Sequence, residues 1–126
     1  MATIDITIEG SLLIATVTGD ITANELIAVV LEYYPNDMVK DVIWDLTKGS
    51  MKAISKDGFS EIAKTTKMVV AGGARRSGKT VFVGGVDREY VLSSIYKVIA
   101  EVTGVPITYK VFMTLEEARN WLALES

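Results

Sequence analysis

Lys40–Gly58 reads KDVIWDLTKGSMKAISKDG. Val42 to Leu46 (VIWDL) has the apolar, strand-forming character of a central strand. A loop of Lys, Gly, Ser and Met follows, and the spacing predicts a helix that opens near Ser55. This order puts the loop at the C-terminal end of a buried strand, facing a helix N-terminus. In α/β domains ligands and partners meet the protein at that edge. A functional surface is therefore expected there.

Upstream, Thr3 to Glu9 alternates, with Ile4, Ile6 and Ile8 on one face and Asp5, Thr7 and Glu9 on the other. Gly10-Ser11 marks a turn, and Leu12 to Thr18 places Leu13, Ala15 and Val17 on one face. The two runs predict an antiparallel hairpin. Thr22 and Glu25 stand at capping-box spacing before a helix with an apolar stripe of Leu26, Ile27, Val30, Leu31 and Tyr34, ended by Pro35. Val29 and Tyr33 lie off that stripe.

Downstream, Phe59, Ile62, Ala63, Thr66, Val69 and Val70 form the stripe of the second helix, which Gly72-Gly73 should stop. Arg75 to Gly78 reads as a basic loop, and Val81-Phe82-Val83 as a short strand ending at Gly84-Gly85. Asp87 suits an N-cap, and Val91, Leu92, Ile95, Val98, Ile99 and Val102 predict one apolar helix face. Gly104 and Pro106 end that helix. Ile107 to Met113 is the last strand. Thr114 and Glu117 begin a closing helix with Leu115, Ala118, Trp121 and Leu122 inward. The expected architecture is α/β, one domain over residues 1–126. An N-terminal antiparallel β-hairpin leads into β-α units that build a mixed, mostly parallel sheet packed with four helices.

A chain of 126 residues suits one domain with a proper core. Hydrophobic residues make up 49 % and the mean hydropathy is +0.31, yet no apolar run reaches bilayer length. The first residues alternate as a strand does, unlike a signal peptide, so a cytoplasmic location is the expectation. With no cysteine and no histidine, disulfides, thiol nucleophiles, Cys/His zinc sites and imidazole-dependent triads are excluded. A net charge of −3 argues against general nucleic-acid binding.

Gly73 to Thr80, GARRSGKT, fits the phosphate-loop pattern G-x-x-x-x-G-K-[ST] at every position. A phosphate loop leaves a strand and opens a helix, so that backbone amides and the helix dipole converge on the anion. Here the surroundings read helix, loop, strand, at the N-terminal edge of the sheet. The expectation is a basic turn, with nucleotide binding kept as the least favoured reading. Asp45 at the end of VIWD imitates the second nucleotide motif, as a buried strand ending in Asp readily does.

Trp44 and Trp121 are expected in the core. Lys48, Lys52 and Lys56 cluster at the expected ligand face, where they suit an acidic partner, a phosphate or an anionic lipid, or form a solvated loop. No carboxylates pair for acid–base work, and no metal or cofactor is expected.

The opening hairpin, VIWDL before the second helix, SGKTVFVGGVDREYVLSSIYKVIAEVTGVP (Ser77–Pro106) and YKVFMTLEEARNWL (Tyr109–Leu122) together resemble the STAS superfamily. Within it they are most similar to the SpoIIAA-like group of small bacterial proteins. The resemblance implies a non-catalytic binding protein in bacterial regulation, since its best-known members are anti-sigma factor antagonists. It also implies a protein partner, such as a regulatory kinase or an anti-sigma-like factor. In those relatives a kinase phosphorylates a serine in an Asp-Ser-Ser-Gly motif at the second helix's N-terminus. That motif falls on Ser55-Lys56-Asp57-Gly58, which puts Asp57 at the phosphoacceptor position. A carboxylate carries one charge where a phosphoserine carries about 1.5 to 2, and it cannot be switched. Ser55 is a neighbouring hydroxyl that also suits an N-cap.

The expected binding surface therefore comprises Lys48, Lys52, Ser55, Lys56, Asp57 and Gly58, with Asp87 and Arg88 from the Gly84–Arg88 turn. A carrier of a small apolar or anionic ligand or lipid is the alternative. Self-association as a homodimer is a further expectation, through an exposed edge strand and Val29 or Tyr33.

Overall fold

The computed structural model describes residues 2–36, 38–71, 78–84 and 87–125, without the side chains at 71, 87, 88, 124 and 125. The chain runs β1 (Thr3–Glu9), β2 (Leu12–Asp20), α1 (Ala23–Tyr33), β3 (Asp41–Ser50), α2 (Lys56–Ala71), β4 (Lys79–Val83), α3 (Asp87–Thr103), β5 (Thr108–Phe112) and α4 (Leu115–Glu125). This is the order expected from the sequence.

The five strands lie side by side in chain order. β1 is antiparallel to β2, and β2 through β5 are parallel. Consecutive parallel strands joined by right-handed crossovers put every crossover helix on the same face. Accordingly α1, α2 and α3 pack in a row over one face, and α4 alone covers the other. The period of two then divides each strand. Leu13, Ala15, Val17, Val42, Trp44, Leu46, Phe82 and Val111 belong to the three-helix core. Ile14, Ile43, Val81 and Val83 pack against Ala118 and Leu122 of α4. Burial on both faces is why VIW (Val42–Trp44) and VFV (Val81–Val83) read as unbroken apolar runs.

The helix ends follow the local chemistry. The Glu25 amide donates to the Thr22 hydroxyl at 3.2 Å, and the Thr22 amide donates to the Glu25 carboxylate at 2.9 Å. α3 closes in a Schellman turn. The Val105 amide reaches the Ala100 carbonyl at 3.1 Å and the Gly104 amide the Glu101 carbonyl at 3.2 Å, with Gly104 at φ 88°.

The structure corrects three expectations. β3 runs on to Ser50, not Leu46. On α1, Leu31 is 54 % exposed while Val29 is buried, so the inner stripe is Leu26, Val29 and Val30. Tyr34 is also buried, and its hydroxyl accepts a 3.1 Å hydrogen bond from the Trp44 indole. The third correction concerns α3 and is taken up with the site. The expected stop at Gly72-Gly73 lies outside the described residues.

Candidate functional site

The strip between β3 and α2 is shaped by a bulge. β2 and β3 pair in register to Thr16–Asp45, then resume at Thr18–Lys48, so β3 carries one extra residue. Asp45 satisfies the released groups: its Oδ1 accepts from the Thr47 amide at 3.0 Å and the Thr47 hydroxyl at 2.7 Å. Its likeness to a nucleotide-motif aspartate therefore has a local structural cause.

Beyond the bulge the chain is held by a residue the sequence did not single out. Glu89, in the first turn of α3, is 1 % exposed. One carboxylate oxygen accepts from the Ser50 hydroxyl at 2.8 Å and the other from the Met51 amide at 2.9 Å. The Ser50 hydroxyl oxygen in turn accepts from the Lys52 amide at 3.0 Å. A buried carboxylate is tolerated only when hydrogen-bonded, and here it fastens the end of β3 to α3. Gly84 makes room for this approach. A Cβ there would sit 2.7 Å from the Glu89 Cβ and 3.0 Å from its backbone.

Past this fastening the chain emerges to form the rim. Ser55 caps α2, its hydroxyl accepting from the Gly58 amide at 3.0 Å. Lys56 and Asp57 are exposed in the first turn, with Asp57 favourably placed for the helix dipole. Gly58 faces the start of α1: a Cβ would meet Ile54 Cγ2 at 3.0 Å and Ala23 Cβ at 3.3 Å. Lys52 is half-exposed and lies 3.8 Å from Asp20, a surface pair of small energetic weight. Lys48 is exposed on the β3 extension. The backbone of Asp87 and Arg88 opens α3, one residue earlier than an N-cap at Asp87 would give. Their side chains lie outside the described residues, as do residues 85–86 of the turn.

Next to the rim, α3 departs from the sequence reading. Glu89, Ser93, Tyr96 and Ala100 point inward, each no more than 3 % exposed. Val91, Ile95, Val98 and Val102, expected inside, are 55 %, 43 %, 57 % and 84 % exposed. Leu92 and Ile99 lie between the two faces. The helix thus buries a carboxylate, a hydroxyl and a phenol and presents aliphatic side chains to solvent. The inner residues have particular reasons to be there. Glu89 holds β3, and Tyr96 packs with Phe59, Phe82 and Tyr109 at centroid distances of 5.8, 5.5 and 5.6 Å. Burial chiefly raises the Tyr96 phenol, to about 12. Val91, Ile95 and Val98, with Ile99 and Lys56, line an open groove of about 540 Å³, and a second groove of about 650 Å³ runs from Tyr90 and Val91 to Phe112 and Met113.

The phosphate-loop lookalike lies partly outside the described residues, at 73–77, but its decisive end is visible. Lys79 and Thr80 begin β4 and pair with Asp41 and Val42. The Lys79 amide donates to Asp41 Oδ1 at 3.2 Å, and the amine lies 5.8 Å from the Trp121 ring centroid. A strand cannot supply the amide fan of a helix N-terminus. Among the described residues, no group of three or more acidic side chains gathers as a metal site would require. No helix there is long and apolar enough to cross a membrane.

No protein-family model matches the chain, and no curated protein is significantly similar to it. Among solved structures it is similar to an uncharacterized protein of the DUF3478 family from Shewanella loihica PV-4, described as having a SpoIIAA-like fold. The TM-score is 0.57 over 96 % of this chain and 93 % of that one. The fold is SpoIIAA-like. Identity between the two is 14 %, so the likeness is one of architecture. In this SpoIIAA-like chain the strand–loop–helix at residues 41–71 presents its rim at the C-terminal ends of the parallel strands.

Proposed function

We propose that this chain is a non-catalytic binding protein of STAS type that recognises another protein in bacterial regulation. The reading rests on one observation. Glu89 ties the end of β3 to α3 through the Ser50 hydroxyl and the Met51 amide, and the segment Lys52–Asp57, exposed at every position but the buried Ile54, is displayed from that tie. A display loop anchored by a buried charge-assisted network has little ordering cost on binding, which favours recognition. Lys48, Lys52 and Lys56 give it basic character, and Asp57 puts a carboxylate where the resemblance places a phosphoacceptor. Such a chain acts as a constitutive module, with recognition set by a fixed carboxylate. A partner with mixed charge, acidic where it faces the lysines, fits this rim.

The carrier of a small apolar or anionic ligand is supported less well. The grooves beside α3 lie open on the surface, whereas small-ligand sites enclose about 70–90 % of their ligand.

The test is capture from native bacterial lysate with the wild type and with the double variant Lys52→Glu, Asp57→Lys. Both positions are exposed, so the cost is confined to the helix dipole at Asp57 and the Lys52–Asp20 surface pair, about 1–2 kcal/mol, and the variant should remain folded. A protein recovered by the wild type and lost with the variant is the expected result. An identical set of recovered proteins contradicts the placement of the surface.

A further inference from the structure

The outer stripe of α3 has a property beyond exposure. Val91, Ile95, Val98 and Val102 are spaced four, three and four residues apart, the d-a-d-a spacing of a coiled-coil seam. That spacing reads the same in both directions about a midpoint between Tyr96 and Lys97. A two-fold interface must be self-complementary, each residue meeting the partner position that meets it in return. An antiparallel pairing of two α3 helices about this midpoint sets Val91 against Val102 of the second copy and Ile95 against Val98. Branched aliphatic side chains then meet one another along three turns.

We infer that α3 is a homodimer surface, on which the stripe of one chain packs antiparallel on the stripe of a second copy.

Three observations favour a second copy over other occupants. The stripe itself carries no charged residue, so self-contact brings no like charges into opposition along the seam. On its flank Ser94 comes level with Glu101 of the second copy, a hydroxyl facing a carboxylate. Glu101 is already neutralised by Lys97 at 3.4 Å. A helix seated on an anionic membrane would instead carry a strongly basic polar face, and here the chain is −3 overall.

The sheet edges are poorer candidates. β1 carries exposed Asp5, with Glu9 engaged by Arg119, and β5 carries exposed Lys110 at its middle, which would meet its own kind on antiparallel self-pairing. The earlier candidate Val29 is buried, and Tyr33 is partly buried against the core. The exposed parts of Tyr90 and the four stripe residues amount to roughly 500 Å² per copy, against ~800 Å² per partner in a standard stable interface. An interface below the standard size is expected to be weak, so the association has to be sought at high protein concentration. It uses a surface beside the rim and does not depend on the rim's partner.

Sedimentation equilibrium of the whole chain, from about 10 µM to about 1 mM, reads the association directly by mass action. The mass should climb from 13.7 kDa toward twice that value. Val98→Glu, at an exposed position, should remain monomeric throughout with an unchanged melting temperature. Because the chain has no cysteine, single introduced thiols report geometry cleanly. A mixture of Ile95→Cys and Val98→Cys chains should be joined by a short bis-maleimide faster than either variant alone. A monomeric mass across the range overturns the inference, as does a dimer indifferent to Val98→Glu. A monomer that co-sediments with phosphatidylcholine/phosphatidylserine vesicles, or purifies with an apolar molecule detected by mass spectrometry, overturns it too and assigns the stripe to that occupant.

Discussion

The Met51 amide donates to a Glu89 carboxylate oxygen at 2.9 Å, joining two residues 38 positions apart in the chain. With the Ser50 hydroxyl on the other oxygen, this contact binds the end of the central strand to the first turn of α3. It is a buried, charged junction in a largely aliphatic and aromatic core. The rim that displays Lys52 to Asp57 starts from it.

Removing the acceptor should be costly. Glu89→Ala leaves the Met51 amide and the Ser50 hydroxyl buried without it, and the expected destabilisation is roughly 2–4 kcal/mol. Gly84→Ala should cost about 1–3 kcal/mol by a different route, because its methyl would displace the Glu89 Cβ and backbone. Urea unfolding of both variants measures this. Wild-type midpoints for the pair would show that the junction is dispensable.

Tyr96 ties stability to high pH. Its phenol stands at about 12 in the folded chain, against an ordinary 10.0, mainly because of burial. Below pH 10 both states keep the proton and the contribution is complete. Between pH 10 and 12 the unfolded chain releases its proton first, which draws the equilibrium toward unfolding. The loss across that window is roughly 2–3 kcal/mol. Tyr96→Phe removes this titration, so its urea midpoint should fall less steeply than that of the wild type above pH 10. Parallel curves for the two proteins would contradict the burial of this group.

The Ser93 hydroxyl lies one helical turn from Glu89, fully buried and without a hydrogen-bond partner among the described residues. A buried unpaired hydroxyl is a net cost, so Ser93→Ala should stabilise the fold by about 0.5–1 kcal/mol. Thermal melts and urea curves read the sign. Destabilisation would mean that the hydroxyl is hydrogen-bonded in solution.

Lys79 begins a strand, and GARRSGKT should therefore bind no triphosphate. Calorimetric titration with Mg-ATP and Mg-GTP is expected to show no heat of binding. An affinity that Lys79→Ala abolishes would reverse this assignment.

The architecture was legible because each strand and helix announces itself locally. Alternation in TIDITIE, the apolar runs VIW and VFV, a capping box at Thr22 and an N-cap at Thr114 are properties of neighbouring residues. The inner face of α3 was not legible in the same way. Apolar residues lie almost all the way round that helix, so periodicity offers two stripes, one through Ile95 and one through Tyr96. Tertiary contacts choose between them: Glu89 has its acceptor duty at β3, and Tyr96 its place among three aromatic rings. The signal that could have found Glu89 is its register with Ser93, Tyr96 and Ala100, also at four, three and four. Reading a glutamate as the head of a buried stripe requires knowing what lies opposite it, and that is a long-range fact. The extension of β3 was hidden for a similar reason, since Lys48 and Gly49 look like a loop until Thr18 and Gly19 pair with them.

Site-specific photo-crosslinking tests the central claim, recognition through the rim, most directly. A photoreactive residue replaces Asp57 in one chain and Lys64, further along α2, in another, and both are irradiated in native bacterial lysate. The account predicts a discrete crosslinked protein from position 57 that is absent from position 64. Equal products from both positions, or none from position 57, would contradict it.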